Sequence, residues 1–240
     1  VISDSKLKAI SDKADFNYVR DTATANYIKK LGIDNVNVGA CPTLFLSKYQ
    51  NFTIEEEYIK KYISDKVVIS IRNPSLMSIP ANHQQKVRED INEFIDYAKN
   101  TLNKEAIILC HDLRDIDYAE SISCDHLYTG DIYSYLTIIK FCHLLISYRL
   151  HSFLPAISYR KDAIKISYDE RALSLIDTFS MDSWNINMLE DNVMESVIDR
   201  INNMDRLHSL IKDNEKNWNI IDSSIENLFK EFATLVKKHV

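Results

Sequence analysis

The sequence predicts an α/β protein with parallel sheets, and three observations lead to this fold class. Short runs rich in Val, Ile and Leu alternate with helical segments along most of the 240 residues. These runs are almost continuously apolar, as expected for parallel strands that helices cover on both faces. A composition of 45% hydrophobic and 27% charged residues is that of a globular protein and excludes a chain that is disordered throughout.

Strands and helices can be placed in order along this pattern. Strands are predicted at residues 16–19, 36–38, 67–71, 106–110, 127–128, 144–147 and 163–167. Helices are predicted between them at residues 22–31, 84–102, 132–141, 152–159 and 171–179. From residue 182 onward the pattern is polar and helical, and its apolar stripe indicates ordinary packing against the body of the protein. The stripe consists of Met188, Val193, Val197, Ile201, Met204, Leu207 and Ile211.

These elements divide the chain into consecutive parts. Residues 1–46 contain a βαβ unit that we interpret as the last portion of a preceding Rossmann-like domain, followed by a linker at residues 47–64. Residues 65–182 are predicted to form a second Rossmann-like domain, and residues 183–240 a set of C-terminal helices. Two parallel strands bury too little surface to be stable alone and leave both edges open. We therefore expect either an N-terminal domain upstream of residue 1 or a partner chain that completes the first sheet.

Charge and glycine content narrow the choice of ligands. With 29 Lys and Arg residues against 35 Asp and Glu residues, the net charge is −6, which makes the protein a poor candidate for nucleic-acid binding. The three glycines, Gly32, Gly39 and Gly130, are too few and too far apart for a GxGxxG or P-loop motif. A phosphate group would therefore have to be held by side chains and helix N-termini.

The cysteines and the hydrophobic pattern indicate a reduced, cytoplasmic protein. The cysteines do not have the spacing of zinc ligands: Cys41, Cys110, Cys124 and Cys142. His111-Asp112 is not followed by a third ligand, so we predict neither a metal nor a cofactor. The most apolar window, residues 135–148, is too short to cross a bilayer. We expect no transmembrane segment, with peripheral binding to the inner face of the membrane as a further option.

The richest group of chemically active residues is the segment 146–152, Ile-Ser-Tyr-Arg-Leu-His-Ser. A buried strand ends here and a helix begins, with Arg149 and His151 at the junction. Ligands of open α/β sheets bind beyond the carboxyl ends of the strands, and a helix N-terminus favours an anion. Arg149 and His151 therefore suit an anionic substrate and acid–base chemistry. The alternative is a structural role, with Arg149 in a salt bridge and His151 at a helix cap.

Other arginines repeat this position at the ends of predicted strands. Arg20 follows the first strand, Arg72 follows the strand at residues 67–71, and Arg171 lies one turn into the helix after the last strand. Guanidinium groups bind phosphate and carboxylate through paired hydrogen bonds. Together with Arg149, these side chains predict a ligand that carries two anionic groups.

Several of these segments resemble the polysaccharide pyruvyl transferase family. The similar segments are residues 14–21 (ADFNYVRD), 38–46 (VGACPTLFL), 68–72 (VISIR) and 145–171, which holds the Arg-Leu-His motif and a later Tyr-Asp pair. The resemblance extends from residue 15 to about residue 181. This sequence has Cys41-Pro42 where the family has Asp-Pro, and Arg171 where the family has a lysine after Tyr-Asp.

The resemblance implies a two-domain fold of the GT-B type and a specific reaction. A pyruvyl group would pass from phosphoenolpyruvate to a sugar as a cyclic ketal, with release of phosphate. Arg20, Arg149, Leu150 and His151 would surround phosphoenolpyruvate, and Arg72 and Arg171 would add positive charge. His151 would donate the proton that turns the methylene group into a methyl group. The implied acceptor is a glycan or a lipid-linked saccharide of a surface polysaccharide.

Two other interpretations remain open at this point. A glycosyltransferase of the same architecture would use a nucleotide sugar and needs a carboxylate for the ribose, for which Glu170 is well placed. A module without catalytic activity would bind an anion or a partner chain, with the C-terminal helices mediating assembly. The same fold serves many chemistries, so only the site can separate these interpretations.

Overall fold

The structure, a computed structural model, describes residues 3–15, 17–49, 57–190 and 192–239. Its strands are β1 (Asn17–Val19), β2 (Val36–Val38), β3 (Lys66–Ile71), β4 (Glu105–Cys110), β5 (His126–Tyr128), β6 (Leu144–Ser147), β7 (Ala163–Ser167) and β8 (Asn185–Asn187). Its α-helices are α1 (Asp4–Ser11), α2 (Thr22–Lys30), α3 (Leu46–Tyr49), α4 (Glu57–Ile63), α5 (Ala81–Asn100), α6 (Ile116–Glu120), α7 (Ile132–Phe141), α8 (Leu150–Ser158), α9 (Glu170–Thr178), α10 (Val193–Asn202) and α11 (Met204–His239). The predicted α/β class is confirmed. Phe16, the first residue of the first predicted strand, lies outside the described residues, as do residues 50–56 of the predicted linker.

The larger sheet is parallel and has the strand order β5-β4-β3-β6-β7-β8. Counted within this sheet, the order is third, second, first, fourth, fifth and sixth, which is that of the doubly wound Rossmann fold. From β3 the chain adds β4 and β5 on one side, and it then crosses to add β6, β7 and β8 on the other side of β3. The switch point, where ligands of such sheets bind, therefore lies at the carboxyl ends of β3 and β6.

Each face of this sheet is covered by its own apolar layer. Val68 and Leu145 pack on one side with α7, α8 and α9, whereas Val67 and Ile146 pack on the other side with α5 and α10. Because successive side chains of a strand point to opposite faces, a strand buried on both sides must be apolar throughout. This explains the continuous hydrophobic runs in the sequence.

A smaller parallel sheet of β1 and β2, with α2, precedes the large one. A 3-10 turn at Pro42–Phe45 follows β2 and packs against α8, and Leu44 and Phe45 enter the same apolar layer as α8. Gly39 is required at the end of β2, because a Cβ atom there would lie 1.6 Å from the ring of Tyr18. We call β1, α2, β2 and the turn the N-terminal unit.

The segment after residue 182 differs from the prediction of helices throughout residues 183–240. Asn185–Asn187 forms the edge strand β8 and pairs in parallel with β7, and Ile186 is fully buried. Met188 follows this strand and does not lie on a helix. The sequence pattern does not reveal β8, because a run of three residues with one apolar side chain is too short to show a period.

Helices also occupy positions for which no element was predicted. The first, α1, precedes β1, and α4 lies within the predicted linker, where it packs on α7 and buries Ile63. The long helix α11 packs its first half on the body, and the Trp218 Nε1 atom donates a hydrogen bond to the Phe179 carbonyl. In the described ranges, no helix is both long and apolar enough to cross a membrane.

Candidate functional site

A cleft of about 210 Å³ opens at the switch point of the large sheet. Every residue that the sequence analysis placed in the site lines this cleft: Arg20, Arg72, Arg149, Leu150, His151 and Arg171. These residues come from the ends of β1, β3 and β6 and from the first turns of α8 and α9. The structure therefore brings together side chains that are up to 151 residues apart in the chain.

Arg149 is held rigidly at the base of the cleft. Its Nε atom donates to the Ile71 carbonyl at 2.9 Å, and its Nη2 atom donates to the Asp115 carboxylate. Asp115 is fully buried and also accepts hydrogen bonds from the backbone N–H groups of Asn73 at 2.9 Å and Asp112 at 3.2 Å. A carboxylate with this many donors fixes the orientation of the guanidinium group. The sequence offers no signal for Asp115, which lies in a short turn after β4.

Arg20 and Arg171 meet where the N-terminal unit contacts α9. The Arg20 Nη2 atom donates to the Arg171 carbonyl at 3.0 Å. The Arg171 side chain is mostly exposed and pairs with Asp169 at 2.6 Å. Arg72, on the opposite wall, donates from Nε to the Leu76 carbonyl at 3.1 Å. The Arg20 Nε atom also lies 3.5 Å from the Asp21 carboxylate. A guanidinium group has five N–H donors, so each of these side chains retains donors for a ligand.

The start of α8 differs from the starts of the neighbouring helices. Asp21 caps α2 by accepting from the Thr24 N–H group at 2.8 Å, and Asp169 caps α9 by accepting from the Ala172 N–H group at 3.0 Å. Within the described part of the chain, the N-cap residue of α8, Arg149, makes no side-chain hydrogen bond to that helix. The first N–H groups of a helix have no partner inside it and attract anions. Leu150 lies at this uncapped first turn, beside the cleft.

His151 lies beside Cys41 of the N-terminal unit. Burial raises the pKa of the Cys41 thiol. The interactions of the thiol with His151 and Thr43 lower this pKa by more, so the pKa of Cys41 is lowered overall. The Thr43 hydroxyl lies 3.0 Å from the Cys41 sulfur. The pair is formed because the turn after β2 packs on α8.

A second histidine, His111, lines the cleft from the end of β4. Its Nδ1 atom lies 2.8 Å from the Tyr135 hydroxyl, which lies 2.5 Å from the Ser152 hydroxyl. Ser152 in turn lies 2.7 Å from the Ser70 hydroxyl, so a buried chain of hydroxyl groups orients the ring. Burial, followed by the charges of Arg149 and His151, lowers the pKa of His111. From the sequence, His111-Asp112 after the strand at residues 106–110 was compared with a catalytic His–Asp pair and with a metal site, but His111 was not placed in this cleft.

Lys165 lines the cleft from β7 and is fully buried. Its Nζ atom donates to the backbone carbonyls of Tyr148, at 3.2 Å, and Ile166. Burial lowers the pKa of this amine to about 7, although Asp169 opposes the shift. A lysine in the middle of an apolar strand is the sequence signal that could have identified it.

These groups can bind a small anion with two charged groups and transfer protons to it. Four guanidinium groups and an open helix N-terminus supply the positive charge, and two imidazoles supply proton donors and acceptors. Among the residues that the structure describes, no cluster of three His, Cys, Asp or Glu side chains is arranged to bind a metal.

The sequence matches the family model of polysaccharide pyruvyl transferases over residues 2–170, which is well over half of the chain. The chain belongs to the polysaccharide pyruvyl transferase family. The match spans both the N-terminal unit and the segments that supply Arg72, Arg149 and His151. No curated protein matches the sequence.

Solved structures with a similar fold are GT-B-like enzymes. The UDP-GlcNAc 2-epimerase of Neisseria meningitidis, bound to UDP-GlcNAc, is similar over 94% of this chain, with a TM-score of 0.56 and 14% sequence identity. The UDP-GlcNAc 2-epimerase of Methanocaldococcus jannaschii, in complex with UDP-GlcNAc and UDP, is similar over 77%, with a TM-score of 0.52 and 13% identity. The pyruvyl transferase family member spans 64% and 53% of the lengths of these chains. At such low identity the similarity establishes the fold alone.

Proposed function

We propose that this protein transfers a pyruvyl group from phosphoenolpyruvate to a sugar, forming a cyclic ketal and releasing phosphate. The observation that carries the proposal is the convergence of Arg20, Arg72, Arg149 and Arg171 with His151 in one cleft at the switch point. Membership of the pyruvyl transferase family supports the reaction class.

The charge of the cleft suits phosphoenolpyruvate, which carries a phosphate and a carboxylate. Arg149 is fixed by Asp115 and has low side-chain exposure, so it can form a rigid paired contact with one anionic group. Arg20 and Arg171 are more exposed and reach the cleft from the end of β1 and from the start of α9. The uncapped first turn of α8 offers backbone N–H donors to the same ligand.

The reaction requires two proton transfers, one for each sugar hydroxyl that reacts. The first sugar hydroxyl adds to the enol carbon and loses its proton while the methylene group gains a proton and becomes a methyl group. The second hydroxyl then displaces phosphate from that carbon, and its proton leaves with the phosphate as HPO₄²⁻. The protein therefore needs a donor near the methylene group and an acceptor near the second hydroxyl.

His151 is the proposed donor and His111 the proposed acceptor. His151 lines the cleft from the first turn of α8, beside Cys41 of the N-terminal unit. His111 has a lowered pKa and is therefore neutral at neutral pH, as a proton acceptor must be. The hydroxyl chain through Tyr135 supports His111 by holding its ring in one orientation.

A groove beside the cleft supports a sugar as the acceptor. This groove, of about 590 Å³, lies between α2 and α9 and shares Arg20 and Arg171 with the cleft. Its wall includes the ring of Tyr27 and the carboxylate of Glu170. An aromatic ring next to hydrogen-bonding groups is suited to a sugar, which has apolar faces and polar edges.

Ligand binding provides the first test. Phosphoenolpyruvate should raise the melting temperature of the protein, because a ligand that binds only the folded state stabilises it by mass action. UDP, GDP and CMP serve as comparison ligands, since a nucleotide-sugar enzyme would respond to one of them. Stabilisation by a nucleotide without a response to phosphoenolpyruvate would contradict the proposal.

Turnover provides the second test. Phosphate release from phosphoenolpyruvate, measured with a panel of glycans, should depend on the glycan. His151→Ala should reduce turnover by about 10²–10⁴-fold and retain binding of phosphoenolpyruvate, as expected for the loss of a general acid. Arg149→Ala should instead weaken binding. Wild-type turnover by His151→Ala would disprove the assigned role of His151.

A further inference from the structure

Lys165 is an unusual residue for the centre of a parallel sheet. It is fully buried on β7, in register with Ser147 of β6 and Asn185 of β8. Buried lysines are rare unless a carboxylate pairs with them. Among the described residues, no carboxylate oxygen forms an ion pair with Lys165, and its amine donates only to backbone carbonyls.

Burial opposes a positive charge on Lys165, and several charged side chains line the same cleft. The charged and titratable groups that line the same cleft are Arg20 between β1 and α2, Arg72 after β3, His111 after β4, Tyr148 and Arg149 after β6, His151 in α8, and Tyr168, Asp169 and Arg171 around the start of α9. Four of these groups are arginines, and Asp169 is the one carboxylate among the described residues that line the cleft. Burial lowers the pKa of Lys165 to about 7, so the amine of the empty protein is readily deprotonated.

An anion in the cleft would change the electrostatic potential at the Lys165 amine. A ligand with two or three negative charges neutralises the arginines and creates a negative potential at the amine, where low polarity strengthens the interaction. The protonated form of Lys165 then becomes the favoured one. Binding of the anion and protonation of the lysine are consequently coupled, and each strengthens the other.

We propose that Lys165 is the proton-coupled part of the anion site: its buried amine takes up a proton when the anion binds and releases that proton when the anion leaves. This inference rests on the proposed function only for the identity of the anion. Anion affinity consequently depends on pH through Lys165. Above pH 7 the affinity falls by up to about tenfold per pH unit, because one proton must be taken from solution for each anion bound.

Proton uptake can be measured by calorimetric titration at pH 8 in two buffers with different ionisation enthalpies. The probes are sodium sulfate, which does not titrate at this pH, and phosphoenolpyruvate. Wild-type protein should take up about 0.9 proton per anion through Lys165, since an amine with a pKa near 7 is about nine-tenths neutral at pH 8. Any uptake by the histidines adds to this value.

Three variants separate the contribution of Lys165 from that of the histidines. Lys165→Met should lower the uptake by about 0.9 proton and make the affinity nearly independent of pH between 8 and 9. Lys165→Arg carries a permanent charge, so it should bind the anion without the proton uptake that Lys165 contributes in the wild type. Lys216→Met removes an exposed lysine on α11 and should behave like the wild type.

The outcomes distinguish this inference from the proposed function. Equal proton uptake by Lys165→Met and wild type would overturn the inference, as would wild-type protein that binds sulfate at pH 8 without any uptake. The wild-type measurement stands even if a variant fails to fold. Sulfate binding with uptake that depends on Lys165, but no binding of phosphoenolpyruvate, would support the inference and contradict the proposed function. Phosphoenolpyruvate binding without proton uptake through Lys165 would contradict the inference and support the proposed function.

Discussion

Asp115 shows how a single buried side chain can determine the geometry of the cleft. It accepts from Arg149 and from the backbone of two turns, so it connects the ends of β3, β4 and β6 at one point. Arg149 and Asp115 are 34 residues apart, and neither belongs to a motif that contains the other. A buried carboxylate with charged and backbone donors is expensive to disturb.

Asp115→Asn tests this positioning role. The loss of a charged hydrogen bond should destabilise the protein by about 1.5–3 kcal/mol and release the Arg149 side chain. The affinity for phosphoenolpyruvate should fall about tenfold, measured by calorimetry beside urea unfolding. Asp117→Asn, at an exposed position two residues away, is the control and should leave both values unchanged. Unchanged affinity in Asp115→Asn would show that Arg149 does not need this anchor.

Cys41 should be the most reactive thiol of the chain. Its pKa is lowered, whereas burial raises the pKa of Cys110 and of Cys142 to about 12 and also raises that of Cys124. Since the thiolate is the reactive form, iodoacetamide should label Cys41 first, as followed by peptide mass spectrometry. His151→Ala should slow this labelling, and phosphoenolpyruvate should protect Cys41. Cys41 is buried and Cys124 is partly exposed, so faster labelling of Cys124 would show that access outweighs the lowered pKa and would contradict the prediction.

Lys165 should also affect the pH dependence of stability. Between pH 7 and 10.5 the amine is charged in the unfolded chain and largely neutral in the native protein, so the unfolded state binds more protons. Wild-type stability should therefore gain from this residue as the pH rises through that window.

Lys165→Met should lose this gain and be more stable than wild type at pH 7 by about 1–4 kcal/mol, as found when buried charges are replaced by apolar side chains. Urea unfolding at pH 6, 7 and 9 measures both effects, with Lys216→Met as the control. A variant that is less stable than wild type at every pH would indicate that the two hydrogen bonds of the amine outweigh its burial.

Among the helices, α8 combines features that suit a ligand site. It follows a buried strand at the switch point, and its N-cap residue, Arg149, points to Asp115 instead of capping the helix. The neighbouring helices α2 and α9 carry aspartate caps at equivalent positions. A capping side chain at α8 would occupy the N–H groups that an anion can use. Sequence reasoning located this junction because strand, helix and arginine are local features.

In contrast to α8, the strand β8 is not predicted by the local sequence pattern. Its Ile186 side chain is fully buried between the sheet and α10, so Ile186→Ala should lower the free energy of unfolding by about 2–5 kcal/mol. The matched control is Ile220→Ala, because Ile220 on α11 is 64% exposed and its truncation should cost little. Chemical denaturation measures both variants. A small effect at Ile186 would contradict the assignment of Asn185–Asn187 to the sheet.

At the scale of the whole molecule, the cleft is shared between the N-terminal unit and the large sheet. Arg20 donates to the Arg171 carbonyl, and the Thr22 N–H group donates to the Thr178 hydroxyl at 3.0 Å, so α2 and α9 are joined directly. On the other side, the turn after β2 packs on α8 and places Cys41 beside His151. Residues of both parts line the cleft, so we expect a ligand there to contact both.

Hydrogen exchange can show this coupling. Phosphoenolpyruvate should slow amide exchange in residues 17–24 and in residues 149–156 together, because its binding adds contacts to both segments. Arg20→Ala should keep the protection at residues 149–156 and lose most of it at residues 17–24. Protection confined to residues 149–156 in the wild-type protein would show that the N-terminal unit does not take part in binding.

The sequence by itself determined the α/β class, most strand and helix positions and the arginines and histidine at strand ends. These follow from local periodicity and from the rule that parallel strands present their carboxyl ends at one edge. Only the tertiary structure decided the roles of Asp115, His111 and Lys165 and the existence of β8. Asp115 acts through a partner distant in the chain, His111 depends on hydroxyl groups from three elements, and the pKa of Lys165 depends on burial by the whole fold. Hydrogen bonds and desolvation depend on distances in space, which a pattern along the chain does not contain.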